Sequence, residues 1–251
     1  MGSDVDMTVP SVARMYDYYL GGKDNYAVDR DAVAELDKVV PSTRPLAVNN
    51  RLFLRRAVRW LAQEQGIRQF LDHGSGLPTQ DNVHQVAQGV DPGCRVVYVD
   101  NDPIVLAHGR ALLQEDDRTS VIQADMRETD SIFGHPDVQR LIDLSEPVAA
   151  LFVSVMHCLP DPGPQEMLGR VLEKLPSGSF VVINQLVSED AGTREFVTSF
   201  MDQSTHGHWG RVREAHEVEK YFDGLEPVEP GLGKIDEWRP EGEHAPTAKQ
   251  E

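Results

Sequence analysis

The chain has 251 residues, with 41 acidic side chains against 24 basic ones and a formal net charge of −17. This length allows one sizeable core. Two cysteines are too few for a disulfide scaffold or a four-cysteine zinc site. No apolar run approaches the roughly 20 residues that a membrane helix needs. The acidic balance disfavours nucleic acid and anionic membranes as partners. Met1–Pro10 has no secretion-signal pattern, so a cytoplasmic location is expected.

The first third of the chain is predicted to be helical. Its expected helices are Ser11–Leu20, Asp29–Val39 and Leu46–Leu61. In the last of these, Arg51, Arg55 and Arg59 recur every four residues, and a solvated stripe is the simpler interpretation for Arg55 and Arg59. Because residues 1–66 contain no strand, they are predicted to form a helical cap.

From Arg68 short apolar runs alternate with helical segments. The expected strands are Gln69–Asp72, Arg95–Val99, Ser120–Gln123, Val148–Val155, Ser179–Val187, Leu225–Val228 and Leu232–Trp238. The expected helices include Thr79–Gln88, Pro136–Ile142, Pro162–Leu175, Ala191–Met201 and Glu214–Phe222. This alternation predicts an α/β, Rossmann-like domain over residues 67–238, with a mostly parallel sheet and helices on both faces. The last two strands are expected to pair antiparallel, and the polar tail 239–251 to be disordered.

Ligands bind at the carboxyl ends of the strands in an open parallel sheet, and four strand ends here carry suggestive residues. The first is the turn after Asp72, where Gly74, Ser75 and Gly76 allow the backbone to approach a ligand closely. A dinucleotide-binding motif would have a third glycine where Thr79 stands, which disfavours a nicotinamide cofactor. Alone, this glycine turn is a weak indication of function, since strand-to-helix turns often need glycine.

The second and third strand ends carry acidic residues. Asp100, followed by Asn101, can accept two hydrogen bonds from a ribose diol, whereas Asp102 is interpreted as a helix cap. Asp125 can accept a hydrogen bond from an adenine amino group, and Met126 can lie against the ring. Either of these last two is weak evidence by itself, because an aspartate at this place also begins turns.

The fourth strand end is Ser154–Pro160, which follows the most hydrophobic strand. His157 can orient or deprotonate a substrate, since the unperturbed pKa of histidine lies near neutrality; a structural histidine in the loop is an equal alternative. Cys158 is interpreted as a small apolar filler. Taken in order, the four strand ends fit an adenosine ligand without phosphates, with S-adenosylmethionine the leading candidate.

The stretch Arg14–Tyr26, with its Tyr-Asp-Tyr and Gly-Gly-Lys-Asp-Asn sequences, resembles the N-terminal signature of a bacterial family of S-adenosylmethionine-dependent methyltransferases formerly catalogued as a domain of unknown function. The resemblance covers nearly the whole chain and continues through Asn50–Arg59, Gln69–Asp72, Gly76–Thr79, Val97–Pro103, Phe222–Leu225 and Trp238–Pro240. It implies a seven-stranded class I methyltransferase fold whose N-terminal helical cap closes over the cofactor.

The resemblance also implies roles for residues of the cap. It places Tyr19, Gly22, Lys23 and Asn25 over the methionine moiety, and Arg51 would pair with the methionine carboxylate. A tyrosine ring near a sulfonium is physically apt, because a cation over an aromatic face is attracted to it. Tyr19 is also a candidate catalytic residue beside His157, although plain core packing is the alternative for the cap tyrosines.

The sequence departs from the family pattern at four places. His73 stands where an aliphatic residue is expected and Ser75 where threonine is common; the loop 160–164 is short, and residues 203–213 match only loosely. The last two segments are expected to border the substrate pocket. His206 and His208 have no partner cluster in the sequence, so no metal site is predicted.

The sequence therefore predicts a methyltransferase that transfers the methyl group in line to a small-molecule acceptor, with the protein supplying orientation and desolvation. Three alternatives stay open: a nicotinamide-dependent oxidoreductase, a non-catalytic protein that keeps the fold and cofactor for sensing or partner binding, and an enzyme of this fold with a different reaction. No nucleic-acid or membrane partner is expected, and a homodimer is left open.

Overall fold

A computed structural model describes residues 7–78, 81–112 and 117–240. The helices are α1 (Val12–Tyr19), α2 (Ala27–Leu36), α3 (Thr43–Gln63), α4 (Val83–Val90), α5 (Pro103–Leu112), α6 (Thr129–Gly134), α7 (Pro136–Leu141), α8 (Gly163–Lys174), α9 (Ala191–Ser204) and α10 (Ala215–Glu219). The strands are β1 (Gln69–His73), β2 (Arg95–Asp100), β3 (Thr119–Gln123), β4 (Ala149–Val153) and β5 (Phe180–Asn184). Short 3-10 turns cover Met156–Cys158 and Lys220–Phe222. Thr79, the predicted start of the fourth helix, and the tail from residue 241 lie outside the described residues.

The five strands form one sheet in the order β3-β2-β1-β4-β5. β1 pairs in parallel with both β2 and β4, with Asp72 opposite Tyr98 on one side and Leu151 on the other. The chain thus builds outward from β1 to β3 and then crosses to the other side of β1 for β4. The carboxyl ends of β1 and β4 flank this switch in strand order, which is where open α/β sheets bind their ligands.

Both faces of the central strands are buried, which confirms the Rossmann-like parallel sheet. Phe70 and Leu71 point to opposite faces of β1 because side chains alternate along a strand, and both have no exposed surface. On one face, helices α3 and α4 pack through Leu61 and Val83 against a cluster that includes Phe70. Strands covered on both sides explain the near-continuous apolar runs that made them recognisable in the sequence.

The prediction of seven strands was wrong: the described residues contain five. Leu225–Val228 and Leu232–Trp238 form irregular segments with bends and one turn rather than an antiparallel strand pair. Pro227 and Pro230 cannot donate backbone hydrogen bonds to a sheet, and glycine-rich sequence around Gly231 weakens any strand. A side-chain contact holds the end of this segment instead, since the Trp238 ring meets the Phe53 ring edge-on at 5.5 Å.

The described residues divide into two compact units. The first comprises Leu54–Val155 and Gln165–Ile183, which hold most of the sheet; the second comprises residues 7–53, Met156–Pro164 and residues 184–240. The second unit has its own core, in which α1, α2 and α9 contribute apolar side chains such as Met15, Val33 and Met201. The boundaries proposed at residues 66 and 238 stay a prediction. None of the helices in the described ranges combines the length and apolar character needed to cross a membrane.

Candidate functional site

The turn that leaves β1 contains two glycines with different roles. Both have a positive φ, 68° at Gly74 and 67° at Gly76, which favours glycine. A Cβ on Gly74 would run into the Val155 side chain and lie 3.3 Å from the Met126 methyl carbon, so this glycine is needed for packing. A Cβ on Gly76 would meet nothing within 4 Å. The space that a ligand can use therefore lies at Gly76 and not at Gly74.

Asp100, the last residue of β2, ties the glycine turn to the start of the next helix. One carboxylate oxygen accepts a hydrogen bond from the Gly76 backbone N–H at 2.9 Å, and the other accepts one from the Asp102 N–H at 2.9 Å. Burial raises the pKa of Asp100 to about 6, against the lowering effect of the backbone N–H groups of Asp102, Gly76 and Asn101. A carboxylate has about four acceptor positions, so these backbone hydrogen bonds leave it able to accept from a ribose hydroxyl as well.

Ser75 lies between the two glycines and has an orphaned polar atom. Its Oγ is buried and makes no hydrogen bond with any residue in the described ranges. A buried hydroxyl without a partner costs about 1–3 kcal/mol, so such an atom in a native turn calls for a ligand or a water molecule. Together with the open space at Gly76 and the spare acceptor positions of Asp100, it makes this turn suitable for a polar nucleoside.

At the end of β3, Asp125 is engaged by a neighbour. The Arg127 side chain donates to both carboxylate oxygens, at 2.9 and 3.0 Å from Nε, and its backbone N–H adds a third hydrogen bond at 2.9 Å. These hydrogen bonds lower the pKa of Asp125. The carboxylate is therefore ionised and fixed in orientation, and an adenine amino group would have to share it with the guanidinium. Met126 lies beside it, with its methyl group next to Gly74.

The other predicted residues of the first unit are placed as follows. Asp72 is buried within β1, and Asn101 is exposed just after β2. Ser154 follows β4 with a φ of 59°, a left-handed conformation that is uncommon for residues other than glycine. Local strain of this kind is concentrated at binding and catalytic sites, so Ser154 keeps its place among the candidates.

In the second unit, the Gly-Gly-Lys-Asp-Asn loop is organised by the buried side chain of Asp17. Its carboxylate accepts hydrogen bonds from the Asp24 backbone N–H and from the Asn25 side-chain amide, both at 2.9 Å. A Cβ on Gly22 would collide with the same carboxylate, so only glycine fits. The Asn25 amide nitrogen also donates to the Gly22 carbonyl at 3.1 Å, while Lys23 is exposed. The loop sequence thus has a structural basis, and contact of Gly22, Lys23 and Asn25 with a cofactor stays a prediction.

Tyr19 and Arg51 lie in the same unit. The Tyr19 hydroxyl donates a hydrogen bond to Asp37 at 2.9 Å. Burial and the neighbouring Asp37 carboxylate both raise the pKa of Tyr19. Arg51 is half-buried on α3, close enough to Tyr16 for its charge to act on that phenol. Neither residue is shown to contact a cofactor, so both assignments stay predictions.

His157 is a buried residue of the 3-10 turn that follows β4. Its Nδ1 accepts a long hydrogen bond of 3.4 Å from the Leu186 N–H, and its ring lies 4.9 Å from the Trp209 ring. Burial, together with the charge of Arg213, lowers the pKa of His157 to about 3. The imidazole is therefore neutral at physiological pH. This environment favours the structural interpretation of His157 over a role as a proton acceptor.

Sequence reasoning missed several polar residues of the second unit. The Asn184 side chain donates to the Asn50 amide oxygen at 2.6 Å, and the Asn50 side chain donates to the Tyr16 hydroxyl at 2.7 Å. This chain of hydrogen bonds fixes the last residue of β5. Asn50 directly precedes the predicted Arg51, so its position was a usable signal, but nothing local pointed to Asn184. Among the described residues, no group of three metal-ligating side chains comes together.

The fold defines a Rossmann-like protein whose glycine turn after β1 is the candidate ligand-binding turn. The chain matches the S-adenosyl methyltransferase family over residues 1–251. It therefore belongs to this family, and its cofactor is S-adenosylmethionine, as predicted. No functionally curated protein is recognisably similar to it in sequence.

Solved structures agree with this assignment. A candidate methyltransferase from Thermobifida fusca is 42% identical, with a TM-score of 0.89 over 94% of this chain and 88% of that chain. A protein of the DUF574 family from Streptomyces avermitilis is 38% identical, with the same TM-score over 94% of this chain and 91% of that one. An O-methyltransferase family protein from Burkholderia thailandensis shares the fold at 13% identity, with a TM-score of 0.52 over 76% of this chain and 57% of that one.

Proposed function

We propose that the protein transfers the methyl group of S-adenosylmethionine in line to a small-molecule acceptor. The observation that carries this proposal is the environment of Asp100, whose carboxylate retains acceptor capacity beside the open space at Gly76. When bound, the cofactor supplies an already activated methyl group, so the protein needs chiefly to bind, orient and exclude water. A cytoplasmic location and a bacterial origin accompany this proposal as predictions, and a homodimer is left open.

Different residues of the first unit are proposed to bind different parts of the cofactor. Asp100 accepts hydrogen bonds from the ribose, Ser75 supplies its orphaned hydroxyl, and Gly76 leaves room for the ligand beside the turn. Asp125 and Met126 are proposed to recognise the adenine edge and face, while Asp72, Asn101 and Ser154 complete the set of strand ends. The Asp100 carboxylate provides a strong contact, because hydrogen bonds to an ionised group are about twice as strong as neutral ones.

A general base is not required by this proposal. The two candidates, His157 and Tyr19, have pKa values shifted away from useful base strength at neutral pH, downward for the imidazole and upward for the phenol. An effective general base has a pKa near the working pH. We therefore propose that either residue, where it contacts the acceptor, orients it through a hydrogen bond rather than removing its proton.

Asp100→Ala is expected to weaken the binding of S-adenosylmethionine by about 1.5–3 kcal/mol, the range for hydrogen bonds to charged groups. Isothermal titration calorimetry on the full chain measures this directly. Asp102→Asn is the matched control, because asparagine also caps a helix and the change removes a carboxylate two residues away. If Asp100→Ala bound the cofactor as tightly as the control, Asp100 would be removed from the site.

Cofactor affinity is also expected to fall in mild acid. Since burial holds the pKa of Asp100 at about 6, protonation at pH 5 leaves only about one molecule in ten with an ionised carboxylate. The apparent Kd for S-adenosylmethionine should therefore rise about tenfold between pH 7.5 and pH 5. The side chain of Asp100→Asn cannot titrate, so the Kd of this variant should change less over the same pH range. If its Kd rose as steeply as that of the wild type, Asp100 would not be the group that binds the cofactor.

Turnover separates an enzyme from a non-catalytic binding protein of the same fold. The full chain is incubated with S-adenosylmethionine carrying a radiolabelled methyl group and with small-molecule extracts from bacteria. We expect label to appear in a small-molecule product with the wild type and to be reduced at least tenfold with Asp100→Ala at subsaturating cofactor. Tight cofactor binding without any labelled product would instead support the non-catalytic alternative.

A further inference from the structure

A surface groove runs between helices α3 and α4 of the first unit. It has a volume of about 580 Å³ and is lined by Arg55 and Arg59 of α3 and by residues of α4, among them Val86 and Gly89. All of these residues belong to one compact unit, within the segment Leu54–Val155. None of the described lining residues belongs to the glycine turn after β1, so this feature, the α3–α4 groove, is distinct from the candidate cofactor turn.

The groove carries a net positive charge on a chain whose net charge is −17. Arg55 and Arg59 are four residues apart and therefore lie next to each other on one face of α3. Of the described residues that line the groove, Asp81 is the acidic one, and its Oδ2 lies 3.4 Å from Arg55 Nη1. The Asp81 side chain is 55% exposed, so water weakens this pair. Two cations against one carboxylate leave capacity for one further negative charge.

The two arginines differ from the solvated stripe that the sequence favours. The Arg55 side chain is only 20% exposed, and Arg59 is half-buried. A guanidinium that is partly shielded from water attracts an anion more strongly than a fully exposed one. Its five N–H groups form a planar fork that matches the oxygens of a carboxylate or a phosphate, so each arginine can bind more than one acceptor at a time.

Gly89 keeps the groove open. It is an exposed residue in the last turn of α4, and a Cβ built on it would meet nothing within 4 Å. Glycine lowers helix stability relative to alanine, and no contact with the described residues requires it here. Beside it, Val86 and Val90 pack against the core of the first unit and also line the groove. The groove therefore has a cationic wall and an apolar one.

We propose that the α3–α4 groove binds a small organic anion. Arg55 and Arg59 hold its carboxylate or phosphate group, and an aliphatic part of the molecule lies along Val86 and Gly89. Charge-assisted hydrogen bonds from the guanidinium groups supply affinity for the oxyanion, and burial of the aliphatic part adds to it. This is a second ligand site of the protein, and it does not rest on the proposed methyl transfer.

Isothermal titration calorimetry on the full chain, in a low-salt Tris buffer, compares three probes with the same alkyl chain: octanoate, octyl phosphate and 1-octanol. We expect at least one of the two anions to bind at least about fivefold more tightly than the neutral alcohol. The tighter anion shows whether the site prefers a carboxylate or a phosphate. The advantage over the alcohol should shrink as salt is added, because salt screens charges at a surface. Equal binding of all three probes would overturn the proposal.

Two kinds of variant locate the binding. Arg59→Gln removes a guanidinium and should raise the Kd of the preferred anion about fivefold while leaving that of 1-octanol unchanged. Gly89→Leu places a side chain in the groove and should raise the Kd of the anion at least about tenfold. Arg140→Gln on α7 and Gly169→Leu on α8 are the matched controls, since Gly169 is also exposed and a Cβ there would also meet nothing within 4 Å. Both controls should bind the anion like the wild type.

The outcomes separate this inference from the proposed function. The thermal unfolding midpoint checks that each variant folds. An anion affinity that is unchanged in Arg59→Gln, or in a folded Gly89→Leu, overturns the groove as the site; should Gly89→Leu fail to fold, Arg59→Gln decides alone. Binding of S-adenosylhomocysteine should be equal in the wild type and all four variants. A wild type that binds the anion but not S-adenosylhomocysteine overturns the proposed function and supports this inference.

Discussion

Replacing Arg14 by leucine is expected to lower the free energy of unfolding by about 3–5 kcal/mol, the cost of removing one partner of a buried ion pair. Arg14 Nε lies 2.7 Å from Asp29 Oδ2, and the two side chains have 3% and 0% of their surface exposed. The guanidinium also donates to the Val9 carbonyl and lies 5.1 Å from the Tyr26 ring centre. Without it, the Asp29 carboxylate stays buried with no counter-ion.

Asp29 makes the effect larger because it organises the backbone of two helices. Its oxygens accept hydrogen bonds from the Ser11 N–H at 2.9 Å, before α1, and from the Tyr26 N–H at 2.8 Å, before α2. An uncompensated charge at this point therefore disturbs both helix starts, whose N–H groups have no partner within their own helices.

Urea unfolding measures the loss. The exposed pair Lys38–Glu35 provides the control, since Lys38→Ala should change the stability by less than about 1 kcal/mol. The double variant Arg14→Leu with Asp29→Leu should be less destabilised than Arg14→Leu alone, because it leaves no unpaired charge. A loss below about 1 kcal/mol in the single variant would show that the ion pair does not hold α1 and α2.

Acid is expected to destabilise the protein through His73, and His73→Leu should remove that part of the effect. The imidazole is fully buried, stacks on the Phe152 ring at 4.3 Å, and has no hydrogen-bond partner of normal geometry among the described residues for either ring nitrogen. Burial lowers the pKa of His73 to about 4, whereas an unfolded histidine titrates near 6.5. Between these values the unfolded chain binds more protons, so stability is full above pH 6.5 and declines as the pH falls to about 4.

The expected contribution of His73 at pH 4 is about 3 kcal/mol, which follows from the separation of the two pKa values. Urea unfolding at pH 7.5 and pH 4 gives the loss for each protein, and the loss in His73→Leu should be smaller than in the wild type by that amount. His208→Gln changes an exposed histidine and should behave like the wild type. Equal losses in His73→Leu and the wild type would mean that His73 is not buried as a neutral ring. The buried His157 acts in the same direction and accounts for part of the acid sensitivity that remains.

The sequence carried enough information for the five strands of the sheet. Runs such as Arg95–Val99 and Val148–Val155 were recognisable because strands buried on both faces need continuous apolar side chains. The two final strands could not be judged in this way, since their apolar residues serve side-chain contacts such as that of Trp238 with Phe53. The six-residue helix α6 was missed, whereas the equally short α7 was found because Pro136 marks its first position and α6 has no such residue.

At the candidate site, local rules gave the positions of residues but not their contacts. Asp100 was found because it ends a strand, and Gly76 because it begins the following turn. Gly74 packs against Val155, a residue 81 positions away in the sequence. A local sequence pattern cannot predict such a contact. The contacts of His73 could not be predicted either. The sequence showed that a histidine replaces the aliphatic residue expected at this position, but it did not show that the ring stacks on Phe152.

A crystal structure of the full chain with S-adenosylhomocysteine tests the central claim most directly. We predict both ribose hydroxyl oxygens within about 2.5–3.0 Å of the Asp100 carboxylate, as for short O–H···O⁻ hydrogen bonds, with the nucleoside beside Gly76 and the Ser75 hydroxyl no longer without a partner. A ribose bound elsewhere, or a nucleoside that leaves Asp100 and Ser75 as they are in the ligand-free chain, would contradict the account.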